Sequence, residues 1–106
     1  MGIEAMATDP FEALSDSHRR AIVELLAAGD HSVQELADLL PISRPAVSRH
    51  LRLLKEAGLV MSQPEGTKRI YALHTEGVDA LRKYVETVWG EAVARLKLVA
   101  DNTRPS

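Results

Sequence analysis

The 106-residue sequence contains no cysteine. That excludes disulfides, thiol nucleophiles, thiol redox sensing and thiolate metal sites. No apolar run approaches the roughly 20 residues needed to cross a membrane. The N-terminus lacks a basic region followed by an apolar one, so no secretory signal is visible. Met6 stands where an N-myristoylation signal requires Ser or Thr. These absences lead us to expect a cytoplasmic protein with no membrane partner. A Gly-rich phosphate loop and a nucleophile–base pairing are also missing, so no enzyme is expected. His18, His31, His50 and His74 are scattered without metal-ligand spacing, so the expected metal and cofactor content is none. There is no internal repeat or low-complexity segment, and the length fits one domain.

The charge is unevenly spread. The net value is −2, which alone argues against nucleic-acid binding. Between Arg44 and Arg69, however, lie six of the thirteen Lys and Arg residues and only two of the fifteen acids, Glu56 and Glu65. A basic patch on an acidic body is the footprint of a docking surface. A solvated charged face is the alternative. The patch centres on Ser43–Lys55, which carries Arg44, Arg49, Arg52 and Lys55 and no acid. At about 100° per residue, Val47, Leu51 and Leu54 fall on one side of a helix. Pro45, Ser48, Arg49 and Arg52 fall on the other, with Arg44 at its edge. A purely cationic face with hydroxyls suits the base edges and phosphates of a nucleic acid.

The rest of the chain is read as a frame for that helix. Residues 1–8 form a flexible tail. A short helical piece runs from Phe11 to Leu14, and a helix from about Asp16 to Ala28 is closed by Gly29. His18, Arg19 and Arg20 sit at the end of that helix unfavourable to cations, which suggests partner contacts or solvated charges. Asp30-His31-Ser32 connects, with room for a short extended segment. Ser32 and Glu35 form a capping-box pattern opening a helix that ends before Pro41. Ser43 caps the next helix, Pro45 lies in its first turn, and Gly58 ends it. Two helices joined by so tight a turn make a helix-turn-helix. The β-prone runs Leu59–Gln63 and Lys68–Leu73 flank a turn at Glu65-Gly66-Thr67 and predict a two-stranded wing.

The last helix is predicted over about Val78 to Ala100. Leu81, Val85, Val88, Ala92, Leu96 and Val99 recur at steps of four and three, and Tyr84, Trp89 and Val93 widen the stripe. This apolar surface exceeds what one small core can cover, and such excess marks an interface. We therefore expect a homodimer, its interface built from Phe11, Leu14, Leu81, Val85, Val88, Trp89, Ala92 and Leu96. An intramolecular core helix is the alternative. The expected architecture is mainly α, an α+β winged helix-turn-helix domain over 9–100, with a flexible tail at 101–106.

Several stretches resemble a known family. Asp9-Pro10-Phe11, Ala13-Leu14-Ser15-Asp16 and His18-Arg19-Arg20 look like the opening of ArsR-type bacterial repressors. Ser32-Val33, Glu35-Leu36-Ala37, Ser43, Ala46-Val47-Ser48, His50-Leu51, Leu54 and Ala57-Gly58-Leu59-Val60 are similar to its helix-turn-helix. Gly66, Arg69, Tyr71 and Leu73 resemble its wing. The resemblance covers about Asp9 to Ala100. It implies a homodimeric winged helix, with the first and last helices at the interface, that represses by occupying an operator near a promoter. The founding members use cysteines in the helix corresponding to Val33–Leu40, where this chain has none. Another metal site of the family uses histidine in the last helix, and residues 78–100 contain none. The chain resembles the branch without those metal ligands, and its effector stays unidentified.

Within this frame the expected DNA contacts are Ser43, Arg44, Pro45, Ser48, Arg49, Arg52, Lys68 and Arg69. Arg44 and Arg49 can each donate two parallel bonds to guanine, or orient the protein on phosphate. Ser48 can bond base or phosphate. Pro45 starts the helix and offers only apolar contact. Arg52, one turn deeper, and Lys55 suit phosphate, and Ser43 is foremost a cap. Lys68 and Arg69 can enter a minor groove, touch backbone, or remain a solvated wing tip. His50, at the flank of the apolar face, suits a packed, hydrogen-bonded histidine. The partners expected are a double-stranded operator and a second copy of the chain. A winged-helix protein-interaction module is the competing reading.

Overall fold

Four helices begin where a polar side chain accepts free N–H groups of the helix end. The computed structural model describes residues 8–103, the side chains only through Asp101. The tail expected at 1–8 thus lies outside the described residues except for Thr8, and 104–106 lie outside as well.

Helix α1 spans Pro10–Ala13, with the Asp9 carboxylate accepting the Phe11 N–H at 2.9 Å. Leu14 is its C-cap rather than its last residue. Helix α2, Ser17–Ala28, is capped by Asp16, whose Oδ1 accepts the N–H groups of His18 (2.8 Å) and Arg19 (3.1 Å). Strand β1 is the two-residue His31–Ser32. Helix α3, Val33–Leu39, opens on the predicted capping box: the Ser32 hydroxyl accepts the Glu35 N–H, and the Glu35 carboxylate accepts the Ser32 N–H. Helix α4, Arg44–Glu56, has Ser43 as its cap, accepting the Ala46 N–H at 3.2 Å. Gly58 follows at φ 79°, the left-handed conformation that lets the chain leave the helix.

Strands β2 (Val60–Glu65) and β3 (Lys68–Leu73) form the hairpin, paired from Val60↔Leu73 to Glu65↔Lys68. Gly66, at φ 65°, makes the two-residue turn with Thr67. The sheet has three strands rather than the two expected, in the order β1-β3-β2, with His31↔Tyr71 and Ser32↔Ile70. Two residues are too few to show an alternating pattern, yet they cover the edge of β3 that a bare hairpin would leave unpaired. Pro64 sits on the outer strand β2, where a missing N–H breaks no ladder.

Helix α5 covers Thr75–Thr103, three residues beyond the predicted limits at each end. Gly77, which precedes the helix expected from sequence, lies in its first turn, where the Val78 N–H already bonds the His74 carbonyl. The segment 101–103, expected as tail, continues the helix.

The core is one cluster: Ala13, Ile22, Leu26, Leu36, Val47, Leu51, Leu54, Leu59 and Val60. Val47, Leu51 and Leu54 are fully buried, so α4 is held by one face while the opposite face is free. Among the described hydrophobic residues of α5, Val78 and Leu81 alone pack on this core. The 29 residues of α5 make about 43 Å of rod. The radius of gyration of 18.0 Å exceeds the roughly 13 Å of a compact 100-residue domain, because the rod projects past its own core.

Candidate nucleic-acid interface

The capped start of α4 carries the expected DNA-contacting residues into solvent. Ser43, Arg44, Pro45, Ser48, Arg49 and Arg52 are all exposed, as are Lys68 and Arg69 on the wing. Arg44 and the wing residues Thr67, Lys68 and Arg69 line a single cleft with Gln34 and Glu35 of α3. Helix α4 and the hairpin tip are therefore parts of one surface. Arg44 donates to the Gln34 side-chain oxygen at 3.4 Å, a long contact that leaves its other N–H groups available.

Ion pairs among the described residues take up none of these cations, and of the paired acids only Glu35 lines the cleft. They join His31 to Glu35, and Arg82 and Lys83 to acids along α5. Arg44, Arg49, Arg52, Lys68 and Arg69 enter none of them. A cluster in which cations outnumber acids is repulsive in the free protein and is relieved by a polyanion. Ser62 was not singled out from sequence. Its hydroxyl accepts from Lys55 at 3.2 Å and from Arg69 at 3.1 Å, tying the end of α4 to the wing. No sequence signal marks such a serine, because the pairing depends on the hairpin folding back.

Arg19 and Arg20 require a correction. Neither is a bare solvated charge. The Arg19 Nε–H donates to the Ala13 carbonyl at 2.6 Å, and Arg20 donates to the Leu14 carbonyl at 2.9 Å. These bonds satisfy carbonyls at the end of α1 and fix it to α2. The helix-end argument failed because their partners come from the preceding element.

His50 is half-buried behind Arg49 and lies 3.3 Å from the Arg19 guanidinium through Nδ1. Burial pushes its pKa down, Asp16 opposes, and the charges of Arg19, His18 and Arg49 push it further down, so the ring favours its neutral form. Asp16 is affected by burial, which raises its pKa. The N–H bonds from Arg19 and His18 and the charges of His50 and Arg19 outweigh burial, so its carboxyl titrates below the usual range. The fold brings His18 and His50 together, their ring centroids 5.8 Å apart. Sequence spacing gives no hint of this meeting.

The second surface is apolar. Along α5, Tyr84, Val85, Val88, Trp89, Val93 and Leu96 are exposed, Trp89 at 61% and Leu96 at 69%. Ala92 among them is half-buried. Phe11, 47% exposed, meets Tyr84 edge-on with ring centroids 5.4 Å apart and extends the stripe onto α1. Leu14 and Leu81, expected at an interface, pack against the core of their own chain. Among the described residues, no helix is long and apolar enough to cross a membrane.

A helix-turn-helix followed at once by a hairpin whose tip shares a cleft with the second helix defines a winged helix-turn-helix protein. Residues 16–62 match the family model described as "Bacterial regulatory protein, arsR family". The chain is 48% identical over 92 residues to the HTH-type transcriptional regulator Rv2034 of Mycobacterium tuberculosis, spanning 87% of this chain and 86% of that one. It is 38% identical over 65 residues to the transcriptional repressor SdpR of Bacillus subtilis, spanning 61% of this chain and 72% of the other. A solution structure from Mycobacterium bovis, described as a homodimeric winged helix-turn-helix DNA-binding domain, superposes with a TM-score of 0.62. That match has 32% identity and covers 79% of this chain and 78% of that one. The chain belongs to the arsR family, whose members are DNA-binding transcriptional regulators and not enzymes.

Proposed function

We propose that the protein is a homodimeric, sequence-specific repressor that acts in the cytoplasm on a near-palindromic operator. The observation that carries this reading is the exposed, unpaired cationic face of α4, framed by the wing and backed by the fully buried Val47, Leu51 and Leu54. Arg44 and Arg49 read base edges, Ser48 supports them, and Arg52 and Lys55 hold phosphates. Pro45 contributes apolar contact, and Ser43 holds the helix start against the backbone. Lys68 and Arg69 carry the wing onto the neighbouring groove or its phosphates. The exposed stripe of α5, with Phe11, pairs two copies. Pairing sets the two α4 helices into successive major grooves, about 34–36 Å apart. Repression follows from occupancy of a promoter-proximal site. SdpR, a repressor by name, and the homodimeric neighbour support these two elements of the reading.

The test is selection of bound fragments from genomic DNA by the purified protein. The proposal expects an enriched inverted repeat with half-sites one helical turn, or a multiple of it, apart. Absence of any enriched sequence at moderate salt would sink it. A protein-interaction module would retain nothing to lose when Arg44 and Arg49 are replaced by alanine.

A further inference from the structure

Three side chains from two separate elements converge at the start of α2. Asp16 caps that helix, His18 lies in its first turn, and His50 projects from α4 directly after Arg49. One ligating atom from each lies within 4.8 Å of the other two. The two imidazoles are tilted at 46° with centroids 5.8 Å apart. All three residues are partly buried, so the donors are shielded yet reachable from solvent. The Asp16 Oδ1 is engaged by the two N–H donors of its cap, which leaves Oδ2 for a ligand.

We propose that Asp16, His18 and His50 form a binding site for a borderline divalent ion of the zinc type. Two imidazoles and one carboxylate make a donor set suited to zinc and its neighbours and ill-suited to magnesium or calcium, which take oxygen ligands. Bonds of about 2.0–2.2 Å hold such donors roughly 3.3 Å from one another, inside the 4.8 Å span they occupy here, so binding draws the three side chains together. Three protein ligands leave a fourth position to water. Arg19 is the competing cation, with its NH1 3.3 Å from the His50 Nδ1. Its Nε–H is held on the Ala13 carbonyl, and because the guanidinium is a rigid plane, NH1 yields to an ion only when the whole group shifts on that anchor. The site lies apart from Val33–Leu40 and from the last helix, the two segments compared with the family's metal sites above. It joins the cap of α2 to the recognition helix, and it stands whether or not the operator reading holds.

The experiment is titration of chelator-treated, untagged full-length protein with Co2+, followed by absorbance, and then displacement by Zn2+. The proposal expects one Co2+ per chain with visible d–d bands that Zn2+ abolishes. His18→Ala is expected to weaken binding tenfold or more. Asp16→Asn keeps a capping oxygen, so the helix still starts, and is expected to weaken binding comparably. Far-UV circular dichroism identifies either variant that fails to fold, and the other then decides. Absence of stoichiometric uptake by the parent protein overturns the proposal. So does wild-type affinity in a folded His18→Ala or Asp16→Asn protein, which would put the ion elsewhere.

Discussion

Gly77, in the first turn of α5, lies against the carbonyl of Gly58, so close that a Cβ at position 77 would overlap that oxygen. The His74 ring reinforces the junction: its Nδ1–H donates to the same carbonyl at 3.1 Å. Gly58 ends the recognition helix, and Gly77 starts the rod that we propose pairs two copies. Their contact sets the angle between the two functional surfaces.

Gly77→Ala tests that contact. Alanine would gain up to about 1 kcal/mol of helix propensity. The clash is with backbone, which cannot step aside cheaply, and overpacking costs about 1–3 kcal/mol. A net loss on the order of 1–2 kcal/mol is expected in urea unfolding, with DNA affinity reduced beyond the loss of folded protein.

Arg49→Ala and Lys68→Ala separate reading from anchoring. The first is expected to cost about 1–3 kcal/mol on the operator and to relax preference at one base position. The second weakens binding to all sequences alike and lowers the log–log salt slope by about one. Binding isotherms at several salt concentrations, on operator and scrambled duplexes, distinguish the two patterns.

Trp89→Glu addresses the pair. Trp89 is 61% exposed and lies outside the core cluster, so the fold of one chain should survive. Placing a charge in an apolar interface is expected to shift sedimentation toward the monomer at micromolar concentration. Operator affinity should fall with it, since one α4 then binds without its partner.

Acid sensitivity should trace in part to Glu35. Its carboxyl lies below the ordinary range, first because it accepts the Ser32 N–H and further because of His31 and Lys68 nearby. A carboxyl with a depressed folded value stabilises in full above its unfolded value, about 4.3, and the gain is lost as pH falls through the folded one. Glu35→Gln keeps an acceptor for the cap without this titration. The stability advantage of the parent chain over the variant should therefore shrink as pH drops below about 4. Urea midpoints measured across that window check it.

Elements marked by local chemistry were legible in the sequence. The Ser32–Glu35 box, the Ser43 cap, the Gly58 stop and the Gly66 turn each rest on residues within a few positions of one another. The cationic face of α4 was legible for the same reason, since helical spacing alone separates it from Val47, Leu51 and Leu54. What escaped depends on the chain returning to itself. The short extended segment allowed at Asp30-His31-Ser32 becomes strand β1 only because β3 comes alongside, a pairing no local signal gives. Arg19 and Arg20 find carbonyls of α1, Ser62 meets Lys55 and Arg69, and His18 meets His50 across two helices. Helix α5 starts before the expected Val78 because Gly77 serves close packing against Gly58 inside its first turn.

The central claim is that two recognition helices, fixed by one α5 pair, engage one operator together. Hydroxyl-radical footprinting on the enriched duplex, with the number of chains per duplex determined by sedimentation, tests it most directly. The account predicts two chains per duplex and two symmetric protected patches centred one helical turn apart, both lost in Trp89→Glu at the same concentration. A single protected patch from one chain, or an undiminished footprint in a monomeric Trp89→Glu protein, would contradict it.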